Sequence, residues 1–146
     1  MVSDEIIRDM DSAREVMHKT DVSIVVVKNG DIVAKKKGDG IKPILETVDE
    51  MGEELQGSIL GDRILGKASA FLCAYAKVAG VYAPQATKTA IAVLIRAGIT
   101  GQTDEIVPYV KNRTGDGLCP FEQLLTGIDS PDEAYTVLKR NFEKIG

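Results

Sequence analysis

A chain of 146 residues with 44% hydrophobic and 27% charged residues has the balance of one soluble globular domain, here residues 1–146. Its net charge of −4 argues against an electrostatic nucleic-acid binder, and no run approaches the ~18–20 apolar residues of a membrane span. Cys73 and Cys119 stand in different contexts, so no disulfide is expected, and Asp4, Glu5 and Asp9 break any apolar leader, so the chain is expected to be cytoplasmic.

Ser3 can cap a first helix whose Ile6, Ile7, Met10, Ala13 and Met17 share one face. His18 at its end suits the negative pole of the helix, a role favoured over catalysis. Residues 22–27 form a nearly continuous β-branched run, the mark of a strand buried on both faces. Asn29-Gly30 is the strongest short hairpin signal, so 31–37 is the return strand. Lys35, Lys36 and Lys37 then guard an open edge in preference to forming a phosphate patch. Pro43 suits the first turn of a helix carrying Ile44, Leu45, Val48, Met51 and Leu55, with Gly57 as its end.

Residues 60–79 read as a central helix, with Ile64, Leu65, Ala68, Leu72, Tyr75 and Ala76 as its apolar stripe. Asp62 stands where its N-cap belongs. Residues 81–83 have the composition of a strand. Pro84 is expected to open the next helix, with Ile91, Leu94 and Ile95 inward and Gly98 as the stop. Residues 99–103 are a further strand, and Pro108 leaves 104–110 open between strand and loop. Pro120 fits the first position of a short helix with Glu122 two residues on, and Ser130-Pro131-Asp132-Glu133 is a capping box for a last helix burying Ala134, Val137, Leu138 and Phe142. Helices alternating with strands over short connections imply right-handed crossovers, hence a three-layer αβα fold of α/β class around a mixed sheet of about five strands.

Helix, hairpin, helix, strand, helix, strand is also the order of the cytidine-deaminase-like fold. The segments Asp62-Arg63-Ile64-Leu65-Gly66-Lys67-Ala68, Val81-Tyr82-Ala83 and Asn112-Arg113-x-Gly115-x-Gly117-Leu118-Cys119-Pro120-x-Glu122 resemble a prokaryotic domain family of unknown function assigned to that fold. The resemblance spans nearly the whole chain and carries no activity with it. Zinc deaminases place His-x-Glu or Cys-x-Glu at the start of the helix after the hairpin and Pro-Cys-x-x-Cys at the start of the next. The stretches expected to correspond are Gly66-Lys67-Ala68 and Pro84-Gln85-Ala86-Thr87-Lys88, which keep the proline and lack every ligand and the glutamate. A lysine at each helix start repels Zn²⁺, so zinc-dependent deamination is rejected and no metal or cofactor is expected.

Two helix N-termini carrying Lys67 and Lys88 suit an anion, Arg113 offers a fork for phosphate or carboxylate, and the loop 114–117 can form a backbone nest. With Gly66, Asn112, Gly115 and Gly117 they predict a pocket for a phosphorylated small molecule, a nucleotide or nucleotide sugar, whose ribose hydroxyl or base amine meets Asp62. Each residue also has a plain structural role. Asp62 can be an N-cap, Gly66 a close-approach site, Lys67 and Lys88 solvated, and Arg113 paired with Asp116 or Glu122. Glu122 can close a capping box on Cys119, and Cys119 can be a small buried hydrophobe. A second reading is an enzyme using Cys119, its thiol activated by a helix start and Arg113, with Asp62 and Glu122 as the other candidate catalytic groups. A third is a scaffold that keeps an oligomer interface and no pocket, since the resemblance implies a homo-oligomer.

Overall fold

A computed structural model describes residues 2–112 and 114–145. Helix α1 (Asp4–Lys19) starts where expected, with the Ser3 hydroxyl accepting from the Ile6 N–H at 3.2 Å. Strands β1 (Ile24–Lys28) and β2 (Asp31–Lys36) form the antiparallel hairpin, turning through Asn29 and Gly30, both at positive φ. Helix α2 (Lys42–Met51) carries Pro43 in its first turn; it ends at Gly52, before the anticipated Gly57, and passes into a 3-10 turn at Gly52–Leu55.

The main correction falls on residues 60–66. They are not the first turns of the central helix but extended backbone: β3 (Ile59–Asp62) and β4 (Ile64–Leu65), followed by the shorter helix α3 (Lys67–Tyr75). The apolar run Ile59-Leu60 and Ile64-Leu65 satisfies a sheet as well as a helix, and buried strands carry no period of their own. Asp62 is therefore the last residue of a strand, and Gly66 is the N-cap of α3. The second correction is Pro84, which lies inside β5 (Gly80–Thr87) and opens no helix.

The two corrections explain each other. β3 and β4 both pair in parallel with β5 at one constant offset, Ile59 with Gly80 and Ile64 with Gln85. They are one strand interrupted at Arg63, and by that offset Pro84 falls beside the interruption. A residue without an N–H is tolerated in a central strand at such a gap. Thr87, not Pro84, caps α4 (Lys88–Arg96), accepting from the Ala90 N–H at 3.1 Å. The buried face of α4 is Ala90, Val93 and Leu94, so Ile95, expected inward, is 71% exposed.

Strand β6 (Thr100–Val107) extends through the open stretch and pairs in parallel with β5. Helices α5 (Pro120–Leu124) and α6 (Pro131–Ile145) close the chain. The described residues form a mixed six-stranded sheet running β2-β1-β3, then β5 with β4 beside β3's end, then β6. Counting β3 and β4 as one strand recovers the expected five.

Helix α1 covers one face through Met10, Ala13 and Met17 against Val25, Val27, Ile59 and Tyr82. The other face buries Ile24, Val26, Leu60, Val81 and Ala83 under α2, α3, α4 and α6. The layering is the α/β, three-layer arrangement, and β2 is an outer strand; its Lys36 pairs with Glu50, and Lys37 just beyond it pairs with Asp21. No helix among the described residues is long and apolar enough to cross a membrane.

Candidate functional site

A cavity of about 660 Å³ opens where the starts of α2 and α3 meet the segment before α5. Its wall includes Gly40 and Lys42 from the start of α2, Asp62 from the end of β3, Gly66 and Ser69 around the start of α3, and Asn112, Cys119 and Glu122 from the later segment. Parallel strands deliver their C-terminal ends, and the helices that follow them, to one edge of the sheet, which is why these residues converge.

Asp62 is the most unusual of them. Only 7% of the residue is exposed, and its Oδ2 has no hydrogen-bond partner among the described residues. Burial pushes its carboxyl up to about 7, against the Ser69 hydroxyl and the backbone N–H groups of Ile64 and Arg63, which pull it down. A buried polar oxygen without a partner costs roughly 1–3 kcal/mol, so it needs a stated reason. Burial, and after it the Asp62 charge, raises the thiol of Cys73.

Glu122 has the opposite fate. Its Oε1 accepts from the Lys67 N–H and its Oε2 from the Ala68 N–H, both at 2.7 Å. It caps α3 across the fold instead of closing a box on Cys119. Burial raises its carboxyl, opposed by those two N–H groups and the Lys67 charge. The Lys67 ammonium in turn donates to the Leu125 carbonyl at 2.7 Å. The positive end of α3 and its lysine are thus already matched by the protein's own groups.

The other predicted residues divide. Lys88 begins α4 and is exposed, outside the cavity wall. Asn112 lines the cavity but spends its amide on the loop, donating to Asp116 Oδ1 at 3.0 Å and accepting from the Asp116 N–H at 3.2 Å. Gly115 turns that loop at φ 78°, and Gly117 accepts from the Asn112 N–H. Arg113 lies outside the described residues. Cys119 is buried against the cavity as the N-cap of α5. Sequence reasoning missed Lys42, Ser69 and Phe142. Ser69, the one serine in an apolar run, is the available signal, and the spacing of Phe142 marks it only for the core.

The family described as TM1506, domain of unknown function (DUF1893), matches residues 12–142. The chain belongs to that family. A DUF1893 protein (TM1506) from Thermotoga maritima superposes with a TM-score of 0.84 at 28% identity, over 97% of this chain and 93% of that one. RibD from Acinetobacter baumannii aligns at 16% identity with a TM-score of 0.53, over 68% of this chain and 36% of its own. A dCMP deaminase from the cyanophage S-TIM5 aligns at 21% identity with a TM-score of 0.46, over 70% of this chain and 99% of that one. No curated protein matches the sequence significantly.

The fold is cytidine-deaminase-like, and it corrects the expected correspondence with the zinc motifs. The helix after the hairpin is α2, the one carrying Pro43, and the next is α3, so the expected pairing with Gly66 and Pro84 sits one element too late. The stretches that face each other are Gly40-Ile41-Lys42-Pro43 and Gly66-Lys67-Ala68, and neither holds a histidine or cysteine. Among the described residues no three His, Cys, Asp or Glu side chains stand close enough to hold one metal ion. Glu122, the nearest candidate, is committed to two N–H groups. The donor set does not fit zinc, which needs three such ligands and an open position.

Proposed function

We propose that the protein binds a small nucleotide-like metabolite in the cavity between α2 and α3, without zinc. The observation that carries this reading is Asp62, a nearly buried carboxyl with an unpartnered oxygen on the wall of the cavity. A cavity of about 660 Å³ suits a mononucleotide-sized ligand. Its wall is mostly apolar, with Ile41, Phe121 and Phe142 available to a ring and a few polar groups to orient it. The cavity also weighs against a scaffold without a pocket. Thermal-shift screening against nucleosides, nucleotides and nucleotide sugars tests the proposal. Stabilisation that grows with concentration and falls in Asp62→Asn supports it; no stabilisation at millimolar concentration of any of them overturns it.

A second reading is favoured by the presence of Cys119 and Asp62 on one cavity wall. A carboxyl titrating near neutrality can take a thiol proton, which makes Cys119 a nucleophile and Asp62 its base. Alkylation of the native protein by iodoacetamide at pH 7, lost in Asp62→Asn, supports this enzyme reading. An inert Cys119 removes it.

A further inference from the structure

The cavity has two chemically different ends. Its inner wall carries two carboxyl groups, the buried Asp62 with a free oxygen and the half-buried Glu122 with both oxygens engaged. The N–H groups that start α3 are spent on Glu122, so an anion pushed toward that helix meets a carboxylate, whereas α2, which has no side-chain cap, starts on the same wall beside Lys42. Arg63 also lines the cavity, but its guanidinium donates to the carbonyls of Met17, Thr20 and Val22. Among the described residues, the cations left to a ligand are Lys42 and Lys111, both exposed, both on the cavity wall, and neither in an ion pair. Asp39 shares that rim, so the described residues at the mouth carry one net positive charge.

Resting on the binding reading above, we propose that the ligand enters donor-first: an N–H or O–H of its ring system meets Asp62 Oδ2 inside, and a phosphate stays at the mouth between Lys42 and Lys111. This reverses the polarity expected from the sequence, which put the phosphate at the helix starts. The physical reason is that Glu122 has taken the anion's place at α3. Asp62, close to half-ionised at neutral pH, accepts the ligand's hydrogen bond in its charged form.

The test measures dissociation constants by calorimetry for adenosine, cytidine, uridine, their 5′-monophosphates and inorganic phosphate. Wild type is compared with Asp62→Asn and with the double variant Lys42→Ala/Lys111→Ala. For whichever nucleoside binds, the 5′-phosphate is expected to tighten binding roughly tenfold, the increment of a charge-assisted contact. The lysine double variant shrinks that increment to less than about twofold, and Asp62→Asn weakens nucleoside and nucleotide together, both about tenfold. An increment that survives loss of both lysines, or a nucleoside that binds Asp62→Asn as tightly as wild type, overturns the donor-first polarity while leaving the cavity a binding site. Failure of every probe to bind wild type overturns the binding reading and this one with it. Ser69→Ala provides a second check on the inner end, because it removes a hydroxyl that supports Asp62 without changing charge.

Discussion

The carboxylate of Glu122 sits where a side chain on Gly66 would have to be. A Cβ at Gly66 would lie 2.3 Å from Glu122 Oε1 and 2.6 Å from Val110 Cγ2. Gly66 has φ −99° and ψ −177°, a backbone open to any residue, so the requirement for glycine is one of space and not of conformation. Gly66→Ala is therefore expected to destabilise by about 2–3 kcal/mol, well beyond the usual cost of a surface change. Chemical denaturation checks it, and a double-mutant cycle with Glu122→Ala shows strong coupling if the clash is the cause.

Glu122 itself closes the start of α3 with two short charge-assisted hydrogen bonds. Glu122→Ala leaves the Lys67 and Ala68 N–H groups without that partner and is expected to cost about 2–3 kcal/mol. Glu122→Gln keeps one acceptor oxygen and should lose about half as much. Equal stability of all three proteins in urea would show that solvent serves the helix start as well as Glu122 does.

Asp62 makes stability depend on pH in an unusual direction. The folded carboxyl titrates at about 7, against an ordinary value of 3.8. Between those values the folded state keeps a proton that the unfolded chain has released, so stability falls as pH rises through that window and levels off above it. At about 1.4 kcal/mol per tenfold in proton affinity, the whole effect is of order 4 kcal/mol. Asp62→Asn removes the titration. Unfolding experiments should find the variant more stable than wild type at pH 8 by 1 kcal/mol or more, in rough terms, with little difference at about pH 3. An advantage that does not change with pH would contradict the burial of this charge.

On the opposite face, His18 joins α1 to the sheet instead of serving only the end of its helix. Its Nε2 lies 2.7 Å from the Tyr82 hydroxyl and 2.9 Å from Asp104 Oδ2. The Tyr82 hydroxyl donates to Asp104, which with His18 and Arg14 holds that carboxyl below its ordinary 3.8. Such a group contributes stability above its ordinary value and loses it as pH falls through the lower folded value. Asp104→Asn should therefore flatten the acid limb of the stability curve below about pH 4. The change stays under ~1 kcal/mol because the site is partly solvated. Unchanged acid unfolding in the variant would remove Asp104 from the account.

Much of the architecture was legible because local rules were strong. Ser3, Asn29-Gly30, Pro43, Gly98 and Ser130 each marked a boundary or turn near where it lies. The misreadings concentrated in residues 60–66 and at Pro84. A buried strand flows into a buried helix there without any polar break, and one apolar run serves both. The zinc motifs are expected at Gly66 and Pro84 although the helix carrying Pro43 directly follows the hairpin, and that leaves Lys42 out of the expected site. Asp62 lies on the cavity wall as the end of a strand, not as an N-cap.

By itself the sequence determined the class of fold, the hairpin, the family and the lack of zinc ligands, since these depend on residue types at short spacing. Tertiary structure alone decided that Glu122 satisfies the start of α3 and that Asp62 keeps an unmatched oxygen against a cavity. Both outcomes turn on which of two carboxyl groups, sixty residues apart in sequence, reaches a pair of backbone N–H groups. No local pattern records that competition, because it is settled only when the chain brings β3, α3 and α5 together.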